Sequence, residues 1–457
     1  VHSGVRWSSL HSLPMVIADE HSLLQLFAEV VSGEQWREWQ EGQKRTQIYT
    51  LPVVVAMMLL QRLNERGTQQ EAVHQVVAGR LDHLLAGCKR VEAGKISPNT
   101  GGYARACGRI QVGVMERACD QLLGELSKRI EPQPEVKVPL LLLDGSSLRL
   151  EHAPGVLEDF PPAPNQYGEG HWGIVRWVAF HDLQTGIALR PAWGPMFGAK
   201  AVSEQQLAEE VIARAPAGSV MMGDGNFGVF SVAYAVVQYH HQVLFRLTKA
   251  RAQALGAGEL LPTGERKIVW YPSRSDRKAH PGLPEDARIE GRLIVVTQNG
   301  FREALYLFTT LPDPWEKVVA WYAQRWNMEL DFRTLKGTMR LQHLRGKTTE
   351  AVEKELLIAV VAYGLVRAFM ALAARRVELP PRRLSFTRAY GLLNAMIDKL
   401  CTAAVEEREQ AYHRILDYMG QAKLPKRSKS RKYPRAVWYI RQEYPNRRDR
   451  NTDAQSK

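Results

Sequence analysis

Two aspartates occupy similar places in the sequence, each after an aliphatic run and each followed by glycine. Asp144 ends the run of residues 138–144, and Asp224 follows the shorter run of residues 219–222. Aliphatic runs of this length predict buried strands, so we expect each aspartate to end a strand where glycine lets the chain turn away. An aspartate beside glycine is often only a turn former, but two of them on neighbouring strands are candidate metal ligands.

A third carboxylate, Glu329, lies within residues 315–341, which we predict to form one long helix. Helix positions four and seven apart share a face, at about 100° per residue. Glu329 would therefore lie in a stripe of side chains that can hydrogen-bond or attract phosphate, which are Tyr322, Arg325, Arg333 and Lys336. The alternative is an exposed helix on which Arg325 and Arg333 form ion pairs with Glu329.

Two strand aspartates and one helix glutamate suit a particular chemistry. Hard divalent cations such as Mg²⁺ prefer oxygen ligands. Two such ions, about 3.5–4 Å apart, can activate the attacking oxygen and stabilise the leaving oxygen when a phosphodiester is displaced. Asp144, Asp224 and Glu329 are therefore the predicted catalytic and metal-binding residues.

Four residues of the predicted helix have a recognisable spacing, Y-(2)-R-(3)-E-(6)-K, at Tyr322, Arg325, Glu329 and Lys336. This spacing resembles the signature of the insertion-sequence-4-type branch of the DDE transposases. The two aspartates, a β-rich segment before the glutamate and residues 97–105 also resemble that family, over roughly residues 20 to 440. The chain departs from it after the second aspartate, where many relatives have arginine and this chain has Gly225 and Asn226.

The resemblance implies a ribonuclease-H-like fold in which the three carboxylates bind two Mg²⁺ ions, with Mn²⁺ able to substitute. It implies that Tyr322, Arg325 and Lys336 contact the end of a mobile element near the cleaved phosphate. The expected reaction is cleavage of DNA at the element ends, followed by joining of the 3′-hydroxyl ends to target DNA. The expected partners are double-stranded DNA and a second copy of the chain, as a homodimer on DNA.

The order of predicted elements indicates an α/β chain with a split catalytic core. Three strands, at residues 138–144, 173–180 and 186–191, are followed by helix, strand, helix and strand, with Ser203 as the cap of the first helix. The predicted parts are a helical N-terminal DNA-binding region (1–135), a ribonuclease-H-like catalytic domain (136–248 and 303–375), a β-rich insertion (249–302) and a helical, basic C-terminal region (376–457).

The charge of the chain favours a polyanionic partner. It carries 61 Lys and Arg against 48 Asp and Glu, a net charge of +13, and twelve basic but only three acidic residues fall in residues 422–457. A basic tail of this kind predicts an arm that binds the DNA backbone, and a solvated tail is the equal alternative. Arg105 and Arg109 lie on a predicted N-terminal helix and are further candidates for DNA contact.

The sequence favours a cytoplasmic, nucleoid-associated protein without a membrane partner. Residues 356–374 are apolar but include Arg367, so we predict a buried helix there and not a membrane span. The four cysteines lack the spacing of a metal site and suit a reducing compartment. Trp270 is the one tryptophan of the predicted insertion, and its surroundings are too loosely patterned to assign it a base contact.

Two other functions share these features. A domesticated or defective copy would bind DNA without cutting it, although the intact carboxylates argue against this. A related nuclease would have the same catalytic core but would not join strands. An assay that separates end binding, cleavage and strand joining distinguishes the three.

Overall fold

The structure, a computed structural model, describes residues 47–64, 67–130, 138–166, 168–297 and 304–425. The first part of the predicted N-terminal region, the end of the predicted insertion and nearly all of the basic tail lie outside these residues. The unit described below ends at Lys423.

Helices fill the described part of the chain before the first strand. They are α1 (Leu51–Leu63), α2 (Gln69–Val77), α3 (Asp82–Leu85), α4 (Lys89–Glu92), α5 (Gly101–Arg109) and α6 (Val112–Arg129). The first of them is apolar on nearly all sides, which is typical of a helix that is buried all round. Its residues from Leu51 to Leu60 are accordingly all buried.

Within the described residues ten strands form one sheet. They are β1 (Leu140–Arg149), β2 (Pro162–Asn165), β3 (Gly168–Asp182), β4 (Ala192–Pro195), β5 (Val220–Gly223), β6 (Gln242–Leu247), β7 (Glu259–Leu260), β8 (Arg266–Trp270), β9 (Ile289–Val296) and β10 (Leu305–Thr309). Their order is β2-β3-β1-β5-β6-β10-β9-β8-β7, with β4 paired to β3. Strands β1, β5 and β6 run parallel, and the other pairs are antiparallel.

Further helices cover the sheet and follow it. They are α7 (Pro154–Leu157), α8 (Glu204–Ile212), α9 (Phe230–Gln238), α10 (Lys249–Ala254), α11 (Arg274–Ala279), α12 (Trp315–Tyr322), α13 (Asn327–Arg333), a π-helix (Thr334–Thr338), 3₁₀ turns at Leu341–His343 and Pro381–Arg383, α14 (Thr349–Arg376), α15 (Phe386–Thr402) and α16 (Val405–Gln421). The α/β class predicted from the sequence is confirmed.

The run of four leucines in β1 is explained by two hydrophobic cores, one on each face of the sheet. Leu140 and Leu142 pack into a core with α1, α6 and α14, whereas Leu141 and Leu143 pack into a core with α8 and α9. Successive side chains of a strand point to opposite faces, so a strand covered on both faces is apolar throughout.

Helix α14 is the described helix that is long and apolar enough to cross a membrane, and its apolar stretch is completely buried within the protein. Helices α1, α6 and α16 pack against it. Its burial among these helices accounts for its composition, and the prediction of a buried helix at residues 356–374 is confirmed.

The strand predicted at residues 186–191 is wrong. Only Ala188 makes an isolated bridge there, and the strand begins at Ala192. Arg190 is drawn instead to α6, where it pairs with Glu116 and Asp120 at 2.8 Å each. The helix cap at Ser203 is confirmed, with a capping box that includes Gln206.

Candidate active site

The two aspartates lie side by side because of the register of the parallel strands. Leu143 of β1 is paired with Gly223 of β5, and Gly223 with Phe245 of β6. The residues that follow these three are Asp144, Asp224 and Arg246, respectively. Since neighbouring strands are about 4.8 Å apart, both carboxylates and one cation occupy one level of the sheet.

Asp144 lies in the middle of β1 and not at its end, which corrects the prediction. The strand continues to Arg149 because residues 145–149 remain paired with β3. Burial raises the pKa of Asp144 to about 6, and the charges of Asp224 and Glu204 also raise it. The backbone N–H of Gly145, which donates to Oδ1 at 2.8 Å, lowers this pKa, as does Arg325.

Asp224 follows the last residue of β5, as predicted, and begins a turn. Its Oδ1 accepts a hydrogen bond from the backbone N–H of Asn226 at 2.8 Å. The turn passes so close to β6 that a Cβ on Gly228 would lie 2.1 Å from the carbonyl oxygen of Arg246. Glycine is therefore required at residue 228.

The single long helix predicted over residues 315–341 is wrong. Helix α12 ends at Tyr322, residues 323–326 form a turn, and α13 begins at Asn327 and runs into the π-helix. Because this turn separates the two helices, Tyr322 and Glu329 do not lie on one continuous helical face as predicted. Tyr322 is buried, whereas Glu329 and Arg333 are exposed.

The turn brings Arg325 to the aspartates. Its Nη1 lies 3.7 Å from Oδ2 of Asp144, and both side chains are largely buried. Burial raises the pKa of the neighbouring Tyr322 to about 12, while Arg325 and Arg246 lower it. The Tyr322 hydroxyl therefore stays protonated near neutral pH and can donate a hydrogen bond.

The other predicted DNA contacts are distributed over two parts of the chain. Lys336 lies half-buried in the π-helix, where burial lowers its pKa. Arg105 and Arg109 are exposed on one face of α5, opposite the buried Tyr103. Helix α5 packs against α1 and α2.

Glu329 does not join the aspartates in this structure. Helix α13 packs on β1, but Glu329 is on its exposed side. Within the described ranges no three His, Cys, Asp or Glu side chains are grouped closely enough to hold one metal ion. The expected convergence of three carboxylates is therefore not seen, because the turn at residues 323–326 changes the face that α13 presents. The role of Glu329 stays a prediction.

Residues 138–365 match the family described as Transposase DDE domain. Over 392 residues the chain is 28% identical to the Transposase InsG for insertion sequence element IS4 of Escherichia coli (strain K12), which covers 82% of this chain and 83% of that relative. The chain belongs to the DDE transposase family. The resemblance predicted from the spaced signature is confirmed.

The strand order of this transposase fits the ribonuclease-H-like core that a DDE domain implies. The antiparallel strands β4, β3 and β1 are followed by the parallel strands β5 and β6, with helices α8 and α9 in the two crossovers. The limits of the N-terminal region, the insertion and the C-terminal region as separate domains stay predictions.

The aspartate pair of the transposase also fits the divalent metal that a DDE domain implies. Both groups offer carboxylate oxygens, the ligands that Mg²⁺ prefers, and Asp144 remains about a quarter exposed. Burial raises the pKa of Asp144 most, and the charges of Asp224 and Glu204 raise it further; a bound cation would favour the ionised form.

The sequence analysis missed two charged residues of the site. Arg246 could have been found from the alternation within β6, which places it on the same side of the sheet as Asp144. Glu204 lies in the first turn of α8, and only the packing of that helix brings it to the aspartates. Trp270, in contrast, is buried against Phe230 and Phe308 and is not accessible to a base.

The substitution Asp144→Asn is expected to stabilise the metal-free transposase at pH 8 and to have no effect near pH 4. The pKa of about 6 in the folded protein exceeds the unfolded value of about 3.9. Protonated Asp144 therefore contributes stability that is fully present below pH ~3.9 and lost as the pH rises through ~6. Calorimetry in EDTA should show a melting temperature higher by roughly 2 °C or more at pH 8. Glu259→Gln, at an exposed position, is the control and should leave the melting temperature unchanged. A melting temperature of Asp144→Asn below that of wild type at pH 8 would contradict the prediction.

Proposed function

We propose that this transposase cleaves DNA at the ends of a mobile element and joins the 3′-hydroxyl ends to target DNA by two-metal-ion phosphodiester transfer. The placement of Asp144 and Asp224 at one level of neighbouring parallel strands supports this most directly. The cations that flank the pair, Arg325 and Arg246, suit a phosphodiester substrate.

Asp144 and Asp224 are the proposed ligands of Mg²⁺, and Glu329 is the third by family resemblance. When bound, two such ions polarise the attacking oxygen and stabilise the leaving oxygen. Helix α13 lies between a turn at residues 323–326 and the π-helix at Thr334–Thr338. Because the buried contacts of Asp331 hold α13 in this structure, we expect Glu329 to face the aspartates only after a rearrangement of α13 and its flanking segments when DNA binds.

The remaining residues of the site position the phosphodiester. Arg325 presents a planar fork of donors that suits phosphate oxygens, and its contact with Asp144 holds it next to the reacting group. Tyr322, kept protonated, donates a hydrogen bond without adding charge. Lys336 adds a positive charge that can lie against the DNA backbone.

The proposed function is tested by incubating the purified chain and Mg²⁺ with duplexes that carry the element's own terminal repeats. Cleavage at the repeat and joining of the new 3′ end to a second duplex are the expected products. Cleavage without joining would favour a nuclease, and binding alone would favour a domesticated copy. Because two ends are cut together, we also expect the active complex to contain at least two copies of the chain.

The substitution Lys336→Ala should weaken binding to the element end and reduce its dependence on salt. A lysine that neutralises one phosphate releases about one counterion, so the slope of log K against log salt should fall by about 1. The slope is obtained from binding constants measured at several salt concentrations between about 50 and 200 mM. Lys128→Ala is the matched control, since Lys128 is exposed on α6 and pairs with Glu125. Equal slopes for wild type and Lys336→Ala would exclude this contact.

A further inference from the structure

The first turn of α8 is joined to the turn that carries Asp224. Gln205 Nε2 donates hydrogen bonds to Asn226, at 2.9 Å to Oδ1 and 3.0 Å to the carbonyl oxygen. The carboxylate of Glu204 accepts a short hydrogen bond from Nδ2 of the same asparagine. Both the oxygen and the nitrogen of the Asn226 side chain are thus bound by two consecutive residues of one helix.

Asn226 in turn holds the proposed metal ligand. Its backbone N–H donates to Asp224 Oδ1 at 2.8 Å. On the other side, Arg251 of α10 donates to the carbonyl oxygens of Gly225 and Gly228, the second at 3.2 Å. The turn after Asp224 is therefore fixed between two helices, with Asn226 as the residue that transmits the constraint to the carboxylate.

Glu204 also lies against the neighbouring strand. A Cβ on Gly145 would be only 2.5 Å from the Glu204 carboxyl carbon, so the residue after Asp144 must be glycine for Glu204 to occupy this place. Burial raises the pKa of Glu204, and the charge of Asp224 raises it further, against the opposing effect of Arg176. Glu204 thus lies beside both aspartates although its charge is unfavourable there.

We propose that Glu204 is a positioning residue for Asp224, acting through Asn226. The inference rests on the proposed function, because it assigns Glu204 to the orientation of a proposed metal ligand. It also accounts for the departure of this chain from the family pattern after the second aspartate. Asn226 is the residue whose amide can receive the Glu204 carboxylate and whose backbone can hold Asp224.

The test measures Mn²⁺ binding to the full chain by electron paramagnetic resonance, without requiring DNA cleavage. Residues that orient a metal ligand typically contribute about 10–100-fold to metal affinity, so Glu204→Ala should weaken Mn²⁺ binding by about tenfold or more. Glu204→Gln keeps an oxygen that accepts from Asn226 and should stay within about threefold of wild type. Glu210→Ala, on the exposed side of the same helix, is the control.

Three outcomes would overturn the inference. Unchanged Mn²⁺ affinity in Glu204→Ala would show that Asp224 does not depend on this contact. Equal loss in Glu204→Ala and Glu204→Gln would show that the charge binds the cation directly. A lower melting temperature with unaltered affinity would show a structural role alone. Failure of the proposed function is separately visible, because wild type would then neither cleave nor join element ends.

Discussion

End cleavage by the Asp224→Asn variant is expected to fall at least about 1,000-fold, which corresponds to roughly 4 kcal/mol of transition-state stabilisation. Asparagine keeps the shape of the side chain and the hydrogen bond from Asn226, but it removes the charge that a divalent cation requires. Binding to the element end should remain within about threefold, since the residue makes no attractive contact with phosphate. Cleavage of a labelled end duplex and its binding by gel shift are the two measurements.

Glu329→Ala extends the same experiment to the third carboxylate. We expect a comparable loss of cleavage with DNA binding retained, because the exposed glutamate of α13 is proposed to complete the metal site. Glu316→Ala on the exposed side of α12 is the matched control. Wild-type cleavage by Glu329→Ala would remove this residue from the site, while the assignment of the aspartates would depend on Asp224→Asn alone.

Asp331→Asn is expected to destabilise the protein by about 3–5 kcal/mol, the usual effect of breaking a buried ion pair. Asp331 is fully buried, binds Arg367 through a short contact and lies 3.0 Å from Arg382. His181 Nδ1 is 3.4 Å away. The substitution leaves the buried Arg367 and the largely buried Arg382 without this counter-charge. Unfolding by urea should show the loss, whereas Asp417→Asn, which affects an exposed pair with Arg376, should cost less than about 1 kcal/mol.

The effect of Asp331→Asn should depend on pH. Burial opposes ionisation of Asp331, but Arg382 and Arg367 more than offset it and hold the pKa of this carboxyl well below its usual range. Its stabilisation is therefore fully present above the unfolded pKa of about 3.9 and is lost as the pH falls toward the folded value. The difference between wild type and variant should be constant from pH 7 to 5 and smaller at pH 3. A constant difference down to pH 3 would rule out the charge as its origin.

The parts of the site that local sequence determines could be predicted. The leucine run before Asp144 and the short run before Asp224 are buried strands because they are covered on both faces. Ser203 caps its helix through bonds within one turn. The spaced signature identified the family because it needs only the identity of four residues and not their conformation.

The break in the predicted long helix could not be foreseen, since residues 315–336 contain neither glycine nor proline. Asp331 provides the physical reason that the sequence does not show. It is bound by Arg367 and Arg382, which lie 36 and 51 residues further along the chain. These long-range contacts fix the rotation of α13 independently of α12. Local helix propensity is a weak guide where such tertiary contacts compete with it.

The placement of Glu204 and Arg246 also depends on tertiary structure. Arg246 neighbours Asp224 through the pairing of β5 with β6, and Glu204 does so through the packing of α8. Neither residue has a distinctive local sequence. The alternation within β6 predicts the side of the sheet that Arg246 faces, but the aspartates beside it and beside Glu204 are identified only when strand register and helix position are known.

The ends of the ten-stranded sheet bear on how this protein behaves when it is concentrated. Exposed strand edges are templates for pairing between molecules, and proteins often protect them with proline or keep them very short. Here β2 has proline at two of its four positions, β4 follows Pro191 and ends at Pro195, and β7 has only two residues. A sheet this wide is therefore poorly suited to edge-to-edge aggregation, and we expect overproduced protein to be limited by other surfaces, such as the exposed Tyr271.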